Sequence, residues 1–265
     1  MPRAKKPVKK KTKQQNNKRS NKKTKQEVNA EEIKKLMAQA VEKETGTIKK
    51  ISTGIKELDK MIKGGFPFPG VILVLGKPGV GKTPFAIAYA HEGIMKGQKS
   101  IYVCLNNFPE EIKAIAKSIG YDLESAEFID AYSWLIGKKS EYEDVSALDP
   151  TGILELMEEK LKKGPVERVV LDSLSTMFLY HDEKTIQRFV QAFTAMIKEY
   201  DASALILVEE GTCSPEMIST LEYLTDGTIL LENKKLFIAR LVGIEVKKKE
   251  AIVNITKKGI EIEVV

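Results

Sequence analysis

Val71-Ile72-Leu73-Val74-Leu75 runs directly into Gly76-Lys77-Pro78-Gly79-Val80-Gly81-Lys82-Thr83-Pro84, and this junction constrains the chain more than any other stretch. Five consecutive apolar residues suit a strand buried on both faces of a parallel sheet. Past the loop, Phe85, Ile87, Ala88, Ala90 and Ile94 recur at helical spacing, with Pro84 in the first turn, where a missing N–H does no harm. Strand, glycine-rich turn and helix in that order fit the pattern G-x-x-x-x-G-K-[ST]. The glycines let the backbone curl until successive N–H groups converge on phosphate oxygens, and the helix adds the positive end of its dipole. The pattern therefore assigns Gly76, Lys77, Pro78, Gly79, Val80, Gly81, Lys82, Thr83 and Pro84 to binding a nucleoside triphosphate. Within it, Lys82 reaches the β- and γ-phosphates and the Thr83 hydroxyl reaches Mg²⁺.

A phosphate loop needs a metal partner. Asp172 follows the apolar run Val169-Val170-Leu171 at the expected carboxyl end of a strand, the side on which ligand crevices of parallel sheets open. It is the candidate second Mg²⁺ residue beside Thr83. The same aspartate also suits capping of the turn Ser173 to Thr176, and the two roles are compatible.

Further strands are expected near 100–105, 127–131, 168–171, 203–208 and 227–231, with helices near 109–119, 149–163 and 183–200 separating most of them. That alternation predicts one α/β domain with right-handed crossovers and a mostly parallel central sheet flanked by helices. Residues 234–264 read as two or three strands without helices, an antiparallel extension turning at Lys257-Lys258-Gly259. The segment from Ile51 to Gly70, with Gly54, Gly64, Gly65 and Pro67, reads as turns leading into the loop strand. Ile33, Leu36, Met37, Ala40 and Val41 predict a helix from about Asn29 to Lys43. No internal duplication is visible.

The formal charge of +6 conceals an asymmetry. Residues 1–26 carry twelve of the 43 Lys and Arg residues and no acid, leaving 31 basic against 37 acidic residues in the remainder. Such a tail has too little apolar surface to offset the entropy of folding and is expected to be disordered. Two readings stand for it: a solubilising extension, or a non-specific tether to nucleic acid acting through counterion release. The organisation read from the sequence is thus a basic tail at 1–26, a helix and linker at 27–49, and a phosphate-loop α/β domain at 50–265. Cys104 and Cys213, the only cysteines, lie outside metal-ligand spacing and read as reduced, partly buried thiols. No run approaches eighteen apolar residues and no signal-peptide pattern opens the chain, so a soluble cytoplasmic protein with no membrane partner is expected.

Thr53-Gly54-Ile55, Leu58-Asp59, Gly64-Gly65, Pro67, the phosphate loop and Leu171-Asp172-Ser173-Leu174-Ser175 together resemble the KaiC-like branch of the RecA superfamily, especially its single-domain archaeal members. Ile129-Asp130-Ala131-Tyr132-Ser133-Trp134 and Leu224-Thr225-Asp226-Gly227-Thr228-Ile229 are similar to that group as well, and the resemblance spans about residues 50–262. It implies a RecA-like core, ATP with Mg²⁺ bound between subunits, and homo-oligomers with a tendency to hexameric rings.

The departures from that resemblance bear on catalysis. In hydrolysing relatives the strand beside the phosphate loop ends in a pair of glutamates, and the matching positions here are Asn106 and Asn107. An amide can hold a water but cannot take its proton. Glu110 and Glu111 follow closely, yet Pro109 should start a helix that carries them off. The relatives also present a Lys-x-Arg pair to the neighbouring subunit's γ-phosphate; the matching segment retains Arg240 and has Val242. Losing a trans-acting cation can cost on the order of 10³ to 10⁵ in turnover. The expectation is a slow Mg²⁺-dependent ATPase, with a catalytically degenerate ATP-binding regulator or a DNA-repair accessory as alternatives. Lys82, Asn106, Asn107 and Arg240 are the candidate catalytic set, with Glu209 and Glu210 as candidate substitutes for the missing carboxylate. The stretch Glu210 to Glu222 falls where superfamily members carry a DNA-contacting loop, but it has no Lys or Arg. His91 and His181 read as surface or hydrogen-bonded residues, and Tyr132 and Trp134 as core packing. Ser173, Ser175 and Thr176 suit turn hydrogen bonds or, as the resemblance implies, phosphorylation.

Overall fold

The computed structural model describes residues 48–146 and 149–264. The basic tail and the helix expected at 29–43 lie outside the described residues; the chain from Lys49 onward is one unit.

In chain order this unit contains β1 (Lys50–Ile51), α1 (Lys56–Met61), β2 (Phe66–Pro67), β3 (Gly70–Gly76), α2 (Lys82–Met95), β4 (Ser100–Cys104), α3 (Pro109–Ser118), β5 (Glu127–Asp130) and α4 (Tyr132–Leu135). There follow β6 (Glu143–Asp144), α5 (Pro150–Lys162), β7 (Arg168–Asp172), α6 (Ser175–Phe178), α7 (Glu183–Glu199), β8 (Ser203–Glu209), α8 (Pro215–Leu224), β9 (Gly227–Glu232), β10 (Lys235–Leu241), β11 (Glu250–Thr256) and β12 (Gly259–Val264). Ten strands form one sheet in the order β12-β11-β10-β9-β3-β8-β7-β4-β5-β6, and β1 pairs with β2 separately. From β9 to β6 all neighbours run parallel, whereas β9 to β12 are antiparallel. The α/β class, the mostly parallel sheet and the antiparallel C-terminal extension are therefore as expected.

Period-two alternation divides the core into two layers. Ile72 and Val74 of β3 pack with Tyr102, Val170, Leu205, Phe85 and Ile112 on the face covered by α2 and α3. Val71, Leu73 and Leu75 pack with Val169, Ile206, Met157, Phe193 and Leu221 on the face covered by α5, α7 and α8. All seven residues of β3 are buried, which is why its sequence reads as a continuous apolar run.

Four helices lie where the sequence reading placed none: the four-residue turns α4 and α6, and the longer α8 and α1. Residues 215–224, part of the stretch compared with a DNA-contacting loop, form α8: the Ser214 hydroxyl accepts from the Met217 N–H, Pro215 opens the first turn, and Met217 and Leu221 bury against the core. Ser-Pro followed by apolar residues four apart was the available signal. Likewise α1 interrupts the turns before β3, with Leu58 buried and the Asp59 carboxylate accepting from the Thr53 N–H at 2.8 Å.

A buried arginine ties the phosphate-loop helix to the sheet. Arg168, at the start of β7 and fully buried, donates to the carbonyls of Ser52 (2.8 Å) and Tyr89 (3.0 Å) and to Gln98 Oε1 (2.8 Å). It also lies 4.5 Å over the Tyr89 ring. Only glycine at position 93 lets it pass, because a Cβ there would stand 2.4 Å from Arg168 Cδ.

Candidate nucleotide site

Two parallel neighbours hold β3 at its carboxyl end: Gly76 pairs with Glu209 of β8 on one side and with Leu231 of β9 on the other. The fit at Gly76 is tight, since an added Cβ would lie 2.3 Å from the Leu231 carbonyl oxygen. Gly79 and Gly81 take φ of 79° and 103°, values that favour glycine, and these conformations turn the chain back into α2. Lys77, Pro78 and Gly79 remain exposed, Val80 is half-buried, and Gly81 caps the helix that begins at Lys82. The first-turn N–H groups of α2 thus have no side-chain cap and open towards the loop. From the C-terminal extension, Ile255 comes close to Gly81, so the β11–β12 hairpin reaches back to the end of the loop.

Lys82 is 6% exposed, and its Nζ donates to the carbonyls of Gly76 and Lys77 at 2.8 Å each. Burial lowers its pKa, against the opposing pull of Glu209, Asp172 and Glu210. Glu209 Oε1 is 3.9 Å from Nζ. Asp172, 2% exposed at the end of β7, accepts from the Tyr102 hydroxyl at 2.7 Å. Burial raises its pKa, while hydrogen bonds from Tyr102 and Thr83 and the charge of Lys82 favour its ionised form. The fold therefore brings Lys82, Thr83 and Asp172 together across some ninety residues of sequence. The Asp172 carboxylate turns to Tyr102 and Thr83, and α6 has no side-chain cap.

The donor set fits Mg²⁺ bound with a nucleotide. A hydroxyl and a carboxylate are hard oxygen donors, and Mg²⁺ usually takes one or two protein oxygens and completes its shell with water and phosphates. No group of three or more His, Cys, Asp or Glu residues able to hold a metal by itself occurs among the described residues.

Asn106 and Asn107 follow β4, which is separated from β3 by β7 and β8; the strands beside the phosphate-loop strand are β8 and β9, a correction to the adjacency expected from the resemblance. The two amides are half-buried, and Asn107 Nδ2 donates to Asn106 Oδ1 at 3.0 Å. As expected, α3 starts at Pro109; Glu110 is exposed on it, and Glu111 accepts from the Phe108 N–H. Arg240 pairs opposite Thr228, which pairs with Leu73, three residues before Gly76. That places it about 10 Å down the sheet from the loop of its own chain. Its Nη2 donates instead to the carbonyls of Glu222 and Thr225 at the end of α8.

Other candidates resolve into packing. The His91 ring meets the Asp122 backbone at 2.9 Å, and Tyr132 packs edge-on against Phe108 at 5.0 Å. Trp134, expected in the core, is instead 52% exposed, because α4 turns it outward where a continuing strand would have turned it in. Ser175 is buried and its hydroxyl accepts from the Glu209 N–H at 2.7 Å. The residue that sequence reasoning missed is Tyr102. Its signal was a hydroxyl-bearing ring in an otherwise small and aliphatic strand, Ser100–Cys104.

A glycine-rich loop between a doubly buried parallel strand and a helix, a lysine over that loop, and a carboxylate two strands away define a phosphate-loop α/β protein of RecA-like fold. A protein-family model described as "ATPase: KaiC" matches residues 51–264, and the chain belongs to that family. A UPF0273 protein of Pyrococcus horikoshii is 31% identical over 140 residues, covering 49% of this chain and 57% of that protein. A UPF0273 protein of Aeropyrum pernix is 24% identical over 234 residues, covering 80% and 93%. The circadian clock oscillator protein KaiC of Prochlorococcus marinus is 29% identical over 196 residues, covering 70% of this chain and 38% of that one. The match thus spans a little over half the length of the first of these relatives. The crystal structure of a KaiC-like protein from Pyrococcus horikoshii aligns with a TM-score of 0.68 at 21% identity, over 82% of this chain and 99% of that one. At that identity the likeness speaks for the fold.

Proposed function

We propose that this chain binds ATP with Mg²⁺ at residues 76–84 and hydrolyses it slowly, nucleotide occupancy controlling contacts with further copies of the chain or with a partner. The observation that carries this reading is the convergence of Lys82, Thr83 and Asp172 at the carboxyl ends of β3 and β7; family membership supports it. In this reading the loop N–H groups and Lys82 hold the phosphates, and Lys82 exchanges its two carbonyl partners for phosphate oxygens. Thr83 and Asp172 would hold Mg²⁺, which neutralises charge on the β- and γ-phosphates. Tyr102 keeps the Asp172 carboxylate oriented. Arg240, remote from its own loop, would act on a neighbouring subunit's nucleotide in an oligomer by giving up its bonds to the carbonyls of Glu222 and Thr225.

A second reading is a regulator that retains nucleotide without turnover, favoured by the Asn106–Asn107 amide pair where a proton acceptor is expected. Residues 1–26 serve as a nucleic-acid tether in either case only if binding weakens with salt and with deletion of the tail. Among the described residues no helix is long and apolar enough to cross a membrane.

Calorimetry and thermal melting with Mg·ATP test the binding, and single-turnover release of labelled phosphate, read beside the assembly mass, tests the hydrolysis. Binding that disappears in Lys82→Ala supports the reading. Purified chain that binds no adenine or guanine triphosphate refutes it.

A further inference from the structure

Four carboxylates other than Asp172 are candidates for the missing proton acceptor, two that follow Asn106 and Asn107 in sequence and two at the end of β8 beside the loop strand, and the fold treats them differently. Glu110 is exposed on α3, and Glu111 is committed to the Phe108 N–H. Glu210 follows the end of β8, and its N–H donates to the Gly76 carbonyl at 3.2 Å. Glu209 is the last residue of β8, paired directly with Gly76, and its carboxylate lies 3.9 Å from Lys82 Nζ.

The backbone of Glu209 is held on both sides. Its N–H donates to the Ser175 hydroxyl at 2.7 Å, and its carbonyl accepts from the Thr212 hydroxyl at 2.7 Å. The side chain is 30% exposed, so water reaches it. Asp172 lacks that access, being almost fully buried and bound to Tyr102. In the reading that Lys82 grips the terminal phosphates, a carboxylate 3.9 Å from its Nζ is placed to share one water with the phosphate that the lysine would hold. The amides of Asn106 and Asn107 cannot accept a proton from water and are bonded to each other.

We infer that Glu209 is the general base of this site, taking a proton from the water that attacks the γ-phosphorus; the inference rests on the reading that ATP occupies the loop. As the water oxygen bonds to phosphorus, its proton passes to the Glu209 carboxylate. The bond from phosphorus to the oxygen bridging the β-phosphate breaks, and its electron pair stays with ADP. Phosphate and ADP leave, and Glu209 returns the proton to solvent. No oxidant or further reactant is required. The function expected of a carboxylate at the end of β4 is thus carried from the end of β8, adjacent to the loop strand.

The test uses the full chain and Glu209→Gln, with Glu209→Asp as the conservative variant, Glu110→Gln as the control, and melting without nucleotide to verify folding. Glu209→Gln is expected to lose about 10² to 10⁴ in single-turnover phosphate release. Removing one negative charge beside the terminal phosphate should also tighten ATP by about tenfold in calorimetry while leaving ADP nearly unchanged. Glu209→Asp should keep part of the turnover, and Glu110→Gln all of it. Phosphate release in Glu209→Gln within about threefold of wild type, with ATP bound, overturns the inference and leaves the nucleotide reading intact. Tighter ATP binding without loss of turnover does the same, making Glu209 an electrostatic gate. Wild-type chain that binds ATP and never hydrolyses it also overturns the inference alone, whereas wild-type chain that binds no ATP overturns both.

Discussion

The hydroxyl of Tyr102 on β4 donates to Oδ2 of Asp172 on β7 at 2.7 Å, and both side chains are out of contact with solvent. Neighbouring parallel strands bring them together, for Tyr102 pairs with Val170 and Cys104 with Asp172. Tyr102→Phe keeps the ring and removes the donor, leaving a buried carboxylate short of one partner. The expected loss is about 1.5–3 kcal/mol of stability, read by urea denaturation of the nucleotide-free chain. Unchanged stability would mean that the bond contributes nothing net.

Gly76 and Gly79 separate packing from conformational strain. A Cβ at Gly76 would press on the Leu231 carbonyl, which cannot retreat because Leu231 is paired to Gly76 within the sheet, whereas Gly79 has nothing within 4 Å. Gly76→Ala should cost about 3 kcal/mol or more, and Gly79→Ala only about 1–2 kcal/mol from its positive φ. Thermal melting of the two variants checks the order, and equal losses would contradict it.

Arg240 has a role within its own chain and a proposed one outside it. Arg240→Ala removes the donor from the exposed carbonyl of Glu222 and from the partly buried carbonyl of Thr225, which should cost about 0.5–1.5 kcal/mol. If the guanidinium serves a neighbour's nucleotide, Arg240→Ala and Lys82→Ala are each slow, and mixing the two restores part of the phosphate release. A mixture no faster than its components rules out action across subunits.

Cys213 is pushed up to about 11, first by burial and then by the charge of Glu183. A raised thiol pKa favours the neutral form in the folded chain, so this contribution to stability is complete below the ordinary value of 9.0 and is lost as pH rises towards 11. At pH 9 only about 1% of Cys213 is thiolate, against about half in an unfolded chain. Alkylation by iodoacetamide at pH 9, followed by peptide mass spectrometry, should therefore run roughly fifty times slower in the native chain than in urea. Cys104, fully buried, should react more slowly still.

The phosphate loop, the strand before it and the helix after it were legible in local sequence because each depends on near neighbours: a run of apolar residues, glycines at three turn positions and a helical period. The parallel sheet followed from alternating elements, and the C-terminal hairpins from strands without helices between them. Local pattern was weakest where tertiary packing overrides it. The helix α8 has a short apolar stripe of Met217 and Leu221 that becomes a core face only against α7, and Trp134 faces outward because a helical turn replaces the strand end.

What the sequence determined by itself was the local frame of the candidate site, a glycine turn between a buried strand and a helix, since that frame is made from consecutive residues. What only the tertiary structure decided was the company that frame keeps: Tyr102 on Asp172, Arg168 beneath the helix, Glu209 beside Lys82 and Arg240 turned away towards α8. Those relationships depend on strand order and register, and in a parallel sheet residues far apart in sequence become neighbours only when the crossovers are laid down.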